Sequence, residues 1–126
     1  MAIPIYESAE DYLEAILIIQ NKKGTAHSVD IADHLHYSKA SVSVAMKKLR
    51  ENGYISMEKD GALNLLPPGR EIAERIYERH RVLTDYFVMI GVDEETAAAD
   101  ACKIEHDLSE ITFEKLKADI ASRKAK

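Results

Sequence analysis

The 126 residues predict a mainly α chain: three helices closed by a β-hairpin, then a second group of helices. Apolar residues recur at three- and four-residue spacing along most of the sequence, the period of an amphipathic helix. Only "YISMEKDGALNLL", residues 54–66, changes to alternation, the period of a strand. A hydrophobic content of 46% is enough to fill a core in one globular unit or two small, mutually supporting ones.

The first helix is "SAEDYLEAILIIQ", which puts Leu13, Ile16 and Leu17 on one face, with Glu7, Asp11 and Glu14 roughly opposite and Ser8 as its N-cap. "NKKGTAHS" breaks the pattern. "SVDIADHLH" follows as a short helix capped by Ser28, with Val29, Ile31, Ala32 and Leu35 available for burial. After "YS", "KASVSVAMKKLRENG" carries an apolar stripe of Val42, Ala45, Met46 and Leu49, and Gly53 suits its C-terminal stop. Ile55 and Met57, then Leu63 and Leu65, alternate across a Lys59-Asp60-Gly61 reversal, which predicts a β-hairpin. "PPG" at 67–69 punctuates, and a long helix runs from Arg70 to a stop at Gly91. Another spans about Asp93 to Asp107, and a last one begins after Ser109. The domain boundary falls inside the long helix near residues 72–75, giving domains 1–72 and 73–126.

The net charge of -5 is unevenly spread. From His34 to Arg50 stand Lys39, Lys47, Lys48 and Arg50 with no acid, whereas residues 1–14 carry four acids and no base. Between Asp93 and Asp119 there are nine acids against three lysines. That distribution suggests a polyanion binder coupled to something that binds cations. No apolar run reaches the length of a membrane span, and "MAIPIYESAEDY" lacks the basic start of a signal peptide, so the expected location is cytoplasmic. One cysteine cannot form an internal disulfide, which leaves Cys102 as a buried filler, a reactive thiol or a metal ligand.

Helix, short helix, turn, helix, hairpin is the order of a winged helix-turn-helix, whose third helix enters the major groove of DNA. Opposite the stripe on that helix project Ala40, Ser43, Val44 and Lys47, with Ser41 and Lys48 flanking and Lys39 at its start. Small apolar groups can meet thymine methyls, hydroxyls can reach base edges or phosphates, and lysines contact phosphates. The competing reading is that the cations only complement the helix dipole and the unit binds protein.

In "DACKIEHDLS", Cys102, Glu105 and His106 fall within about 100° of arc if the stretch is helical, with Ala101, Ile104 and Leu108 turned toward a core. Thiolate, carboxylate and imidazole suit a divalent transition metal. Three ligands do not close a site. The remainder can come from His80, on an apolar face with Ile76, Leu83 and Phe87, and from the acidic face of the first helix, Glu7, Asp11 and Glu14. Each has a plainer role: Asp11 as the partner of Ser8 in a capping box, His80 as a hydrogen-bonded core residue, Cys102 as packing, Glu105 and His106 as surface groups.

The chain resembles the diphtheria toxin repressor and manganese transport regulator family of metal-dependent repressors. The likeness runs through "EDYLEAI", "VDIADHLHYSKASVSVAMKKLRENGYI", "LNLLPPGREIAERIYERHRVL", "IGVDEE" and "DACKIEHDLS". It implies a winged helix-turn-helix followed by a helical dimerisation domain, without the third, SH3-like domain of larger members. It also implies metal ligation by Asp11, Glu14, His80, Cys102, Glu105 and His106. Cys102 matches the iron type and Asp11 the manganese type, so the expected cofactor is Fe(II) or Mn(II), leaning to iron, with Zn or Co able to bind in vitro. Thr84 and Ala98 stand where the iron type has a glutamate and a histidine at an ancillary site. The implied function is a homodimeric repressor of metal-homeostasis genes on a palindromic DNA operator, with no membrane partner. Phe87 to Ile90 and the alanine-rich "EETAAADA" are offered equally by sequence as dimer surface or internal core. A small metalloenzyme is the weaker alternative, since there is no glycine-rich phosphate loop, paired catalytic carboxylates or nucleophile elbow.

Overall fold

The computed structural model describes residues 7–125, the side chain of Glu7 excepted. The leaderless start inferred from the first residues, and Glu7 as a ligand, therefore lie outside the described residues. Six helices and one hairpin follow in the order α1 Glu7–Lys23, α2 Ser28–Leu35, α3 Lys39–Glu51, β1 Ile55–Met57, β2 Leu63–Leu65, α4 Pro67–Met89, α5 Glu94–Ile104 and α6 Glu110–Lys124. Cα packing divides the chain into two compact units, one ending at Arg75 and the other beginning at Ile76, so the division lies within α4. Among the described residues no helix is long and apolar enough to cross a membrane.

In the first unit α1, α2 and α3 pack on one another, β2 packs on α1 and β1 on α3. Leu13, Ile16, Ile31, Val42, Met46, Ile55 and Leu63 are its largest fully buried apolar side chains. Burial of each stabilises by about 1.5–3 kcal/mol against exposure. α1 already contains Ser8, so Ser8 is not the residue preceding the helix; the cap lies outside the described residues. Ser28 does not cap α2 either. His27 holds that position, because the Asp30 carboxylate accepts its backbone N–H at 3.0 Å and Lys23 Nζ donates to the other carboxylate oxygen at 2.9 Å. Val29 is exposed, on the outer side of α2, while Ile31 and Ala32 are buried.

The hairpin is antiparallel in the register Ile55 to Leu65, Ser56 to Asn64 and Met57 to Leu63. Gly61 closes the reversal at φ 90°, donating its N–H to Glu58 O, while Asp60 Oδ1 accepts from Ala62 N. Leu63 N donates to Ala26 O and Leu63 O accepts from Gln20 Nε2, which seats the wing on the helices rather than leaving it in solvent. α4 starts at Pro67, three residues before the predicted Arg70. Proline has no N–H to lose in a first turn, so the two prolines open the helix rather than precede it. Gly69 is buried in that first turn, where a Cβ would lie 2.1 Å from Tyr54 O. That close approach excludes every side chain.

The second unit is built on Ile76, Leu83, Ala97, Ala101, Phe113 and Ile120. Asp93 caps α5 by accepting from Thr96 N, and Ser109 caps α6 by accepting from Thr112 N. α5 stops at Ile104, short of the predicted Asp107, and residues 105–107 form a turn. Ile104, expected to face the core, is exposed.

Candidate metal centre and nucleic-acid interface

Early termination of α5 decides how its ligand-type side chains are presented. Cys102 is on the last turn and exposed, Glu105 is the C-cap with helical dihedrals and donates its N–H to Ala101 O, and His106 lies in the turn that follows. Glu105 is fully buried at 0% exposure, with its side chain turned into the unit. Its Oε2 lies 2.8 Å from His80 Nδ1 on α4, and its Oε1 lies 3.6 Å from Nε2 of the buried His106 side chain. Cys102 and Glu105 offer ligand atoms within 4.8 Å of each other. His80, Cys102, Glu105 and His106 therefore gather around one carboxylate.

A carboxylate out of water is costly unless positive charge and hydrogen bonds compensate it. Glu105 Oε1 accepts no hydrogen bond. The surroundings are two imidazoles and a thiol, donors that suit a divalent transition ion better than magnesium or calcium. The residues present therefore fit a metal. In the other unit, Asp11 and Glu14 stand one turn apart on α1; Asp11 is half-buried and Glu14 is 7% exposed. Thr84 and Ala98 line a single groove with Asp85, Glu94, Glu95 and Lys124, in which Lys124 Nζ already binds Asp85 at 3.0 Å.

Sequence reasoning passed over Arg79. Its guanidinium is buried, donating to Glu105 O at 3.1 Å, to Leu108 O at 2.6 Å and to Glu110 Oε2 at 3.0 Å, and it lies over the Phe113 ring at 5.2 Å. The available signal was an arginine immediately before His80 and three residues after the buried Ile76.

In α3 Val42, Met46 and Leu49 are buried and the other side holds exposed Lys39, Ala40, Ser41, Ser43, Val44, Lys47 and Lys48. Ser38 caps it by accepting from Ser41 N. Val44 is 55% exposed. No acidic side chain interrupts this face before Glu51, so it presents cations, hydroxyls and small apolar groups together. Val88, Met89 and Ile90 at the end of α4 are also exposed, whereas Ala97 and Ala101 of the alanine-rich stretch are buried within the unit.

Comparison with known proteins assigns both units. Residues 5–63 match the model of the iron dependent repressor N-terminal DNA binding domain, and residues 67–124 that of the iron dependent repressor metal binding and dimerisation domain. An HTH-type transcriptional regulator MntR from Lysinibacillus sphaericus is 40% identical over 102 residues, covering 81% of this chain and 73% of the relative. An uncharacterized HTH-type transcriptional regulator of Methanocaldococcus jannaschii is 35% identical over 113 residues, 88% of this chain and 90% of the relative. Among solved structures, a manganese-dependent transcriptional repressor in complex with manganese aligns with a TM-score of 0.82 at 26% identity, over 90% of this chain and 52% of that one. The IdeR of T. acidophilum aligns with a TM-score of 0.79 at 26% identity, over 89% and 53%. The chain spans about half the length of these two solved proteins.

Proposed function

The chain belongs to the iron-dependent repressor family, and on that premise we propose that it is a homodimeric, cytoplasmic transcriptional repressor whose affinity for operator DNA is set by Fe(II) or Mn(II). The observation that carries the reading is the buried Glu105 carboxylate with His80 and His106 on either side. Asp11 and Glu14 from α1, with His80, Cys102, Glu105 and His106, would hold the ion. When bound, a divalent cation supplies the positive charge these carboxylates require.

The protein's own residues do the rest. Asp11 and Glu14 are acids on the helix that supports α3, so ligands drawn from both units couple the recognition helix to the second domain. Without the ion, mutual repulsion of the carboxylates keeps those ligands from one geometry. With them committed, the orientations open to the two winged helices of a dimer narrow. Two recognition helices about 34 Å apart match successive major grooves on one face of a palindrome. A coupling of about 1–3 kcal/mol per site switches occupancy. Lys39, Lys47 and Lys48 contact phosphates, Ser41 and Ser43 phosphates or base edges, and Ala40 and Val44 thymine methyls. Exposed Val88, Met89 and Ile90 suit the contact between protomers.

The deciding measurement is fluorescence anisotropy with promoter DNA under anaerobic conditions, comparing chelator, Fe(II), Mn(II) and Zn(II). Tight binding only with metal supports the proposal. Equal binding in every condition makes the chain a metal-independent winged-helix regulator.

A further inference from the structure

Glu105 is held at both ends by neighbours on one helix: His80 meets its carboxylate at 2.8 Å, and Arg79 donates to its main-chain carbonyl at 3.1 Å. The same Arg79 nitrogen also donates to Leu108 O at 2.6 Å, and the other terminal nitrogen pairs with Glu110 Oε2 at 3.0 Å. Carbonyls at a helix C-terminus have no partner within the helix. Here an α4 side chain takes those of the turn leaving α5. Arg79 is 6% exposed as a residue, and its guanidinium carbon lies over the buried Phe113 ring at 5.2 Å from the centroid, so the fork is packed on one side and hydrogen-bonded on the other.

We infer that Arg79 is a positioning residue for the metal centre: it fixes the 105–108 turn so that Glu105 and His106 are presented before any ion arrives. This rests on the metal-centre reading above. A buried arginine serving only stability would be satisfied by any carbonyls. This one holds the main chain of a proposed ligand and stands next to another in sequence, so the same turn of α4 sets both. Lysine cannot replace it, because one ammonium does not reproduce a planar fork spanning two carbonyls and a carboxylate. Glu110 anchors the fork from the start of α6 without offering a ligand itself.

The test uses the full-length protein and Co(II) as probe. Arg79→Lys should keep helical circular dichroism and dimeric mass, lower Co(II) affinity by about tenfold to a hundredfold, and shift the Co(II) visible bands. In metal-free protein, hydrogen exchange should quicken at residues 105–109 and remain unchanged in α3 and the hairpin. Glu110→Gln, which keeps both carbonyl bonds, should give a smaller change in the same direction. Wild-type Co(II) affinity and spectrum in Arg79→Lys would overturn the inference alone. Failure of the wild-type protein to bind Co(II), or wild-type binding by His80→Ala, would overturn the metal-centre reading and this inference with it.

Discussion

His80 Nδ1 and Glu105 Oε2 lie 2.8 Å apart, joining α4 to the turn after α5 through a carboxylate that has no exposure to solvent. Two roles are open to such a pair. As a structural link it adds stability to metal-free protein; as half of a metal centre it costs stability until an ion arrives. Glu105→Leu separates them. Imidazole can stay neutral when the carboxylate is gone, so no charge is stranded, and chelated variant should unfold within about 1.5 kcal/mol of wild type or later. Stabilisation by Mn(II), about 2.7 kcal/mol at a hundredfold excess over Kd, should vanish. Retained Mn(II) stabilisation in calorimetry would remove Glu105 from the ligand set.

The exposed face of α3 makes a separate prediction. Lys47 is solvent-exposed, so Lys47→Ala should leave the melting temperature unaltered. Affinity should drop to a similar degree for operator and random duplex, and the log-log salt slope should become shallower by about 1. A loss confined to the operator would mean that Lys47 reads bases.

Gly69 tests the packing that seats the hairpin. Adding a methyl group places it 2.1 Å from Tyr54 O, and the obstacle is backbone rather than a flexible side chain. Gly69→Ala should destabilise the winged helix by about 1–3 kcal/mol or more, although alanine favours helices elsewhere. An unshifted thermal midpoint would show that the first turn of α4 and the Tyr54 backbone are not in contact there.

Asp30 sets an acid limit on the first unit. Lys23, hydrogen-bonded at 2.9 Å, and then the His27 N–H hold its carboxyl below the usual 3.8. A depressed folded value means that its stabilisation is full above 3.8 and is lost as pH falls through the lower, folded value. Lys23 is largely in water, which weakens the pair. Asp30→Asn should therefore cost about 1 kcal/mol or less at pH 7. Wild type and variant should converge in acid. A difference that persists at the lowest pH would assign the loss to packing.

Much of this was legible in the sequence because it depends on periodicity. The stripe of Val42, Met46 and Leu49 and the alternation of the hairpin are patterns of burial, and burial dominates folding. Caps and ends were harder. Ser28 resembled a cap, yet Asp30, tied to Lys23, moved that role to His27. Pro67 resembled punctuation ahead of a helix starting at Arg70, yet it opens α4. At the site the ligand types could be read, while the end of α5 could not: the helix stops at Ile104 with Glu105 as its cap, so His106 is carried by a turn rather than by the helix. Arg79 left no clear trace because most of its partners are carbonyls, which every residue carries.

Main-chain capture by Arg79 also separates the scaffold of the proposed centre from its choice of ion. The backbone of the 105–108 turn is anchored without reference to the side chain at position 102, which is exposed on the final turn of α5 beside the Glu105 carboxylate. On the proposed ligand set, a different donor at position 102 should therefore alter which ion is preferred while the 105–108 scaffold keeps its form.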